Sequence, residues 1–289
     1  MAQTNPRPAT ASGTFTIGGD LTVYRLGFGA MRLAGPGIWG PPRDKNEAIA
    51  VLRRAIELGV NLIDTADSYG PEVSEALIAE ALYPYPSNLV IATKGGYLRP
   101  GPGQWHPDGH PAHLREALEG SLRRLRLERI DIYQFHVPDP NVPYEESIGA
   151  LADLREAGKI RHIGVSNVNT DQLARARKIV PIVTVQNLYN LTDRSSEGMV
   201  DICEREGLGF IPWFPLATGD LANGGGKLKQ IAQRHHATPG QIALAWLLRR
   251  STNMLPIPGT SSVRHLEEDL AAAEIRLSDA EFQALDEGV

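Results

Sequence analysis

Eight times along this chain a short apolar run is followed by an amphipathic stretch, and no other feature of the sequence restricts the fold as strongly. The runs are Leu26-Gly27-Phe28-Gly29, Val60-Asn61-Leu62-Ile63, Leu89-Val90-Ile91-Ala92, Ile130 to Phe135, Ile160 to Val165, Ile182 to Gln186, Leu208 to Pro212 and Met254 to Ile257. Runs that are apolar throughout suit strands buried on both faces, the mark of a parallel sheet covered by helices. The stretches between them read as helices. Asp44 is placed to cap one over Lys45 to Leu58, with Glu47 three residues on and Gly59 behind it; Gly70-Pro71 opens the next. Leu114, Leu118, Leu122 and Leu125 fall on one helical face, and a further helix from Tyr144 to Ala157 ends at Gly158. Eight such units in 289 residues favour a closed (β/α)8 TIM barrel over an open doubly wound sheet. An open sheet would want G-x-G-x-x-G, but Gly27-Phe28-Gly29-Ala30 lacks the third glycine, and Gly224-Gly225-Gly226-Lys227 lacks Walker spacing. Ahead of the units, Phe15-Thr16-Ile17 and Leu21 to Tyr24 flank Gly18-Gly19-Asp20. They predict a β-hairpin that closes the bottom of the barrel.

No composition shift or linker divides the chain, so one domain over 1–289 is expected, with the polar stretch 1–13 flexible. The formal net charge of -5 argues against a nucleic-acid platform. No run approaches the roughly 20 apolar residues that span a bilayer. One cysteine, Cys203, cannot form an internal disulfide, and a reducing cytoplasm is the natural expectation. The partner expected is a small molecule, bound by a monomer or a loose oligomer.

A barrel of this kind does its chemistry at the C-terminal ends of the strands. Asp64-Thr65-Ala66-Asp67-Ser68-Tyr69-Gly70 follows the second strand, Lys94 ends the third, and His136 follows the fourth. Reducing a carbonyl needs a hydride donor, a proton donor beside the developing alkoxide, and a group that tunes that donor. A phenol with a pKa of about 10 is a poor relay near neutrality. An ammonium about 4 Å away would lower it by roughly two or three units. A carboxylate would orient the ammonium and keep it charged, and an imidazole would orient the carbonyl. Tyr69, Lys94, Asp64 and His136 fit those four roles. Singly, each has a structural reading: a helix cap, a solvated lysine, a packing tyrosine, a satisfied histidine. Four placements on three successive strand ends favour a shared site. His110, His113, His162, His235, His236 and His265 show no metal-ligand spacing, and no metal is expected; His235-His236 reads as a helix surface pair. Ser166, Asn167 and Gln186 offer amide donors and acceptors at adjacent strand ends, and Trp213 a flat face for stacking. The loop through Thr260 and Ser261, with a helix starting near Ser262 and Arg264 beside it, offers a phosphate site.

Together Asp64-Thr65-Ala66…Tyr69-Gly70, Lys94, Tyr133-Gln134…His136…Pro138-Asp139, Gly164-Val165-Ser166-Asn167 and Pro256-Ile257-Pro258-Gly259-Thr260 resemble the aldo-keto reductase family, in order from the hairpin to about Leu270. The resemblance implies NADPH-dependent reduction of an aldehyde or ketone to an alcohol, with Asp64, Tyr69, Lys94 and His136 catalytic. It implies a cofactor site of Ser166, Asn167, Gln186, Trp213, Phe214, Pro215, Leu216, Pro258, Gly259, Thr260, Ser261, Arg264, Glu268 and Asp269. Trp213 stands where the family more often has tyrosine, and Asp269 where many relatives have asparagine. Either Arg264 or His265 would meet the 2'-phosphate. Loops carrying Trp39 and Trp105 would shape the substrate pocket. A barrel glycosidase would need a second carboxylate near the end of strand seven, where Trp213 stands instead. The alternative reading is a redox-sensing or regulatory subunit that binds NADPH with little turnover.

Overall fold

The computed structural model describes residues 7–219, 221 and 225–287. Strands β1 (Thr14–Ile17) and β2 (Leu21–Tyr24) pair antiparallel, joined through Gly18 and Gly19 at positive φ, which glycine adopts without steric cost. Then come β3 (Phe28–Gly29), α1 (Lys45–Glu57), β4 (Leu62–Asp64), α2 (Val73–Leu82) and β5 (Val90–Gly95). An excursion of two short paired strands, β6 (Tyr97–Leu98) and β7 (His106–Pro107), precedes α3 (Pro111–Leu125). β8 (Ile130–Phe135), α4 (Tyr144–Glu156), β9 (Ile160–Ser166), α5 (Thr170–Arg177), β10 (Ile182–Leu188), α6 (Glu197–Glu206) and β11 (Gly209–Trp213) continue the alternation. α7 (Gly226–Arg234), α8 (Pro239–Arg250), α9 (Val263–Ala271) and α10 (Asp279–Asp286) follow.

Among the described residues seven parallel strands lie in the order β11-β10-β9-β8-β5-β4-β3. The eighth run, expected as a strand, forms no regular ladder. It still bridges the two sheet edges: Leu255 N donates to Phe210 O (2.8 Å), Gly27 N to Pro256 O (2.9 Å) and Gly29 N to Pro258 O (3.0 Å). Pro256 and Pro258 have no N–H to return, so the segment accepts toward β3 without donating, and the barrel closes on a half ladder. This is the TIM barrel the alternation predicts.

The barrel floor is apolar and the hairpin plugs it. Ile17, Leu21 and Val23 are buried in one cluster with Leu62, Val90, Ala92, Ile132, Ile211, Leu255 and Ile257, which face inward from the strands. Asn61 fastens the plug, accepting from Tyr24 N (2.7 Å) and donating to Thr22 O (3.1 Å). A second, larger core joins the outer faces of the strands to the helices.

Local signals hold with small shifts. Asp44 caps α1 by accepting from Glu47 N (3.0 Å). α2 begins at Val73, three residues after Gly70, because Glu72 takes a left-handed φ of 68° ahead of it. Part of the stretch 1–13, expected to be flexible, is seated against the barrel from residue 7 onward. A short 3-10 turn, Pro8–Ser12, buries Ala9 and Ser12; Ala9 N donates to Leu58 O (3.2 Å), and Leu26 N donates to Ser12 Oγ (3.1 Å). Residues 1–6 lie outside the described residues. His235 and His236 are not a helix surface pair: they follow the last turn of α7, and His235 Nε2 lies 3.1 Å from Glu281 Oε2.

Candidate active site

The inward positions of β4, β8 and β10, alternate strands of the barrel, bring Asp64, Gln134 and Gln186 into one layer. Gln134 Nε2 (3.0 Å) and Gln186 Nε2 (2.9 Å) both donate to Asp64 Oδ2. Room for Gln134 comes from Gly164 on β9, where a Cβ would lie 2.9 Å from Gln134 Cγ and 2.2 Å from Thr184 Oγ1. Lys94, from β5, sits on this layer and is 0% exposed. Its ammonium donates to Asp64 Oδ1 (2.6 Å), Thr65 O (2.8 Å) and Tyr69 Oη (3.3 Å). Its three protons therefore have three acceptors, one of them the phenol.

These charges set the proton states. Burial alone would depress the Lys94 ammonium, but Asp64 and then Tyr69 more than offset it, and its pKa lies above the usual value. Tyr69 was expected below its ordinary pKa and is instead raised. Burial is the largest cause; Lys94 pulls down, but Asp64 pushes back, since the carboxylate that fixes the ammonium cancels part of its field. Tyr69 is thus a neutral phenol that holds its proton. His136 lies edge-on to Tyr69 (ring centroids 5.9 Å) and Tyr97 (4.7 Å), with Nδ1 3.4 Å from Ser68 Oγ. Burial first, then Lys94 and Arg99, hold it well below the usual imidazole range, so it is neutral at pH 7.

A cleft of about 1000 Å³ opens over this group. Asp64, Tyr69, His136, Ser166, Asn167, Gln186, Trp213, Phe214, Pro215, Leu216, Pro258, Gly259, Thr260 and Ser261 all line it, as do Trp105 and Tyr97. At its floor the chain ends of β3 and the eighth run nearly touch: a Cβ on Gly259 would stand 2.5 Å from Gly29 O. Lys94 lies beneath the lining, reaching it through Tyr69. Trp39 is near but not in the wall; its segment bridges to Gly70 and its neighbour Ile38 lines the cleft.

Two amide assignments need revision. Asn167 spends Nδ2 on His136 O (3.0 Å) and Ser166 Oγ (3.1 Å), and Oδ1 on Trp213 Nε1 (3.1 Å). Gln186 spends its NH2 on Asp64 and keeps only its oxygen for a ligand. Arg264, Glu268 and Asp269 lie on α9 outside the lining, and Arg264 and His265 are both exposed. Ser262 precedes α9 as expected, yet Val263 N already donates to a carboxylate, Glu47 Oε1 on α1 (2.9 Å). Asp269 is pushed up to about 7 by burial and by Glu268.

The sequence pattern alone points to no role for Gln134 or Arg99. An isolated polar residue on the same strand face as Ile130 and Ile132 was the available signal for Gln134. Nor did spacing reveal that Asp108, His110 and Asp139 bring ligand-type atoms within 4.8 Å of one another. Their acceptors serve the backbone: Asp139 accepts from Gly109 N (3.0 Å) and Asn141 N (2.8 Å), Asp108 from His110 N (3.0 Å). A turn before α3 accounts for the cluster.

Among the described residues no helix is long and apolar enough to cross a membrane. Over residues 25–289 the sequence matches the model of the aldo/keto reductase family. It is 50% identical over 279 residues to an uncharacterized oxidoreductase of Schizosaccharomyces pombe, covering 96% of this chain and 90% of that one. It is 48% identical over 282 residues to pyridoxine 4-dehydrogenase of Escherichia coli K12, covering 96% and 98%. The fold superimposes with a TM-score of 0.82 on an aldo/keto reductase from Klebsiella pneumoniae solved with NADP and acetate, at 27% identity, covering 95% and 94% of the two chains. The chain belongs to the aldo/keto reductase family of oxidoreductases.

Proposed function

We propose that this protein reduces an aldehyde or ketone to an alcohol with NADPH, and that its substrate carries the carbonyl on a flat ring of the pyridoxal type. One observation carries the reading: Lys94 joins a buried carboxylate to a phenol that faces the cleft.

NADPH, when bound, supplies the hydride. The cleft suits it in size, since sites for ligands of this kind run to roughly 1000 Å³. Trp213, its ring plane held by Asn167, would lie against the nicotinamide, and Ser166 Oγ with Gln186 Oε1 would meet its amide. Phe214, Pro215, Leu216, Pro258, Gly259, Thr260 and Ser261 would line the path outward, and Arg264, Glu268 and Asp269 the adenosine end.

Tyr69 donates its proton to the carbonyl oxygen as the carbon receives the hydride, so the C=O bond becomes a C–OH and Tyr69 is left as a phenolate. Lys94 stabilises that phenolate, and its charge is kept by Asp64. His136, neutral, donates a hydrogen bond to the same oxygen and orients it. Solvent returns the proton to Tyr69. The pyridoxal-type ring is supported by the edge-to-face walls of Tyr69, Tyr97, Trp105 and His136, and by the 48% identical relative whose name states pyridoxine as its substrate. The single chain 1–289 would act as one domain in the cytoplasm, where the buried thiol of Cys203 stays reduced.

The test is NADPH oxidation, followed by absorbance, with pyridoxal, simple aldehydes, ketones and quinones. Turnover highest on pyridoxal-type aldehydes is expected. NADPH binding without turnover on any carbonyl would overturn the reading in favour of a regulatory subunit.

A further inference from the structure

Arg99 stands just after β6, in the excursion between β5 and α3, and it is only 8% exposed. Its guanidinium is spread over three separate segments of chain. Nε donates to Gln104 O (2.9 Å) within the excursion, Nη1 to Ser68 O (2.8 Å) beside Tyr69, and Nη2 to Ile38 O (3.1 Å) and Gly37 O (3.4 Å) in the loop after β3. Its carbon lies 3.6 Å over the Trp105 ring and 5.6 Å from that of Trp39. Among the described residues every acceptor is a neutral carbonyl. A buried cation without a carboxylate is expensive unless geometry repays it, and a planar fork that ties loops and stacks on indole does so.

We propose that Arg99 is the specificity-determining residue of the substrate pocket: it clamps the Gly37–Trp39 loop and the Trp105 excursion to Ser68, and so fixes the aromatic wall that selects a flat ring. The carbonyl-reduction reading supplies only the name of the substrate; the clamp stands on the contacts. Lysine in its place retains the charge but has no plane to stack and no fork to span three segments. The charge has a separate effect at His136. The groups facing that imidazole are Lys94 and Arg99, the phenols of Tyr69 and Tyr97, the Ser68 hydroxyl and the Trp105 ring. Removing one of its two cations raises the histidine toward its ordinary pKa.

Arg99→Lys and Arg99→Met separate these effects. For a pyridoxal-type aldehyde both variants should raise KM by roughly 10-fold or more, the scale of one charge-assisted hydrogen bond, with a much smaller change in kcat. A small aliphatic aldehyde, which has no ring for the wall to grip, should keep its KM. Arg99→Met should also move the acid limb of kcat/KM upward, and Arg99→Lys should leave it in place. Hydrogen exchange gives a readout without turnover: residues 36–40 and 100–106 should exchange faster in Arg99→Lys, while the barrel strands do not. An unchanged KM for the ring substrate, or unchanged exchange in both loops of Arg99→Lys, would overturn the clamp. Absent turnover in the unmodified protein would instead overturn the carbonyl-reduction reading and leave the exchange result to decide the clamp.

Discussion

The barrel end of the cleft and the start of α9, just beyond its lining, are built on opposite terms. At the barrel end, Lys94 is sealed from solvent and each of its protons has an acceptor, while Asp64 takes an ammonium and two amides. At the α9 end, Arg264 and His265 are exposed, and a carboxylate from another helix occupies the first amide of α9. The contrast fits the roles proposed for the two ends. Proton transfer to a developing alkoxide needs charges fixed before the reaction, in a site where water does not screen them. Recognising a phosphate needs only attraction across a wet surface, which tolerates mobile side chains. Changes at the barrel end should therefore cost whole orders of magnitude, and changes at the α9 end a few-fold.

Lys94→Met is the harshest test. It leaves Asp64 buried without its cation, and stability should fall by about 3–5 kcal/mol, measured by urea denaturation. Turnover should collapse with it, because the Tyr69 phenolate loses its stabilising charge. Wild-type stability in this variant would mean that Lys94 is not an integral part of the buried charge pair. Tyr69→Phe should be gentler on the fold and equally clear in function. Loss of the proton donor should lower kcat/KM by roughly 10²–10⁴-fold, with NADPH affinity unchanged by fluorescence titration. Turnover surviving in Tyr69→Phe would transfer the proton donor's role to His136.

One carboxyl at the barrel end breaks the pattern of satisfied groups. Asp67 is buried, its Oδ1 without a partner among the described residues, and its pKa is pushed up to about 8 by burial and then by Glu75, against Arg124. The folded protein keeps this proton up to about pH 8, whereas the unfolded chain releases it near the ordinary 3.8. Across that window the unfolded state binds fewer protons, so stability falls as pH rises, by roughly 1.4 kcal/mol per unit at most. Asp67→Asn should flatten the fall and gain stability relative to wild type between pH 5 and pH 8. Parallel denaturation curves for the two proteins at both pH values would show that Asp67 ionises freely.

How much of this contrast the sequence discloses depends on the physics behind each residue. The barrel and the grouping of Asp64, Tyr69, Lys94 and His136 are legible because strand period and strand ends are local properties. The half ladder at Pro256 and Pro258 is legible in principle, since a missing N–H is written in the residue type, though the run reads as an ordinary strand. The direction of the Tyr69 pKa is not. It depends on how far Asp64 cancels Lys94 at distances that only folding fixes. Arg99 is invisible for a similar reason: its partners are backbone carbonyls 31 and 61 positions away, and a carbonyl leaves no mark in the sequence. Glu47 illustrates the same limit from the other side. Its place three residues after Asp44 reads as half of a capping box, yet the side chain turns to α9 instead.

That turn of Glu47 yields the smallest and most diagnostic prediction. If the 2'-phosphate of NADPH meets the start of α9, Arg264 attracts it and Glu47 repels it, and the two substitutions should move affinity in opposite directions. Arg264 is exposed, so its contribution is that of a screened surface charge, up to about 1 kcal/mol or roughly five-fold in affinity. Arg264→Ala should loosen NADPH by that factor. Glu47→Gln keeps an oxygen for Val263 N and removes only the charge, so it should tighten NADPH by a comparable or smaller factor. NADH, which lacks the phosphate, should respond weakly to either change, and raising the salt concentration should draw both variants toward wild type. Equal shifts for NADPH and NADH would show that these side chains act on the fold or on the pyrophosphate. No shift for either cofactor in either variant would move the 2'-phosphate away from α9, toward Arg32 and Arg43, which, unlike Arg264, line the cleft.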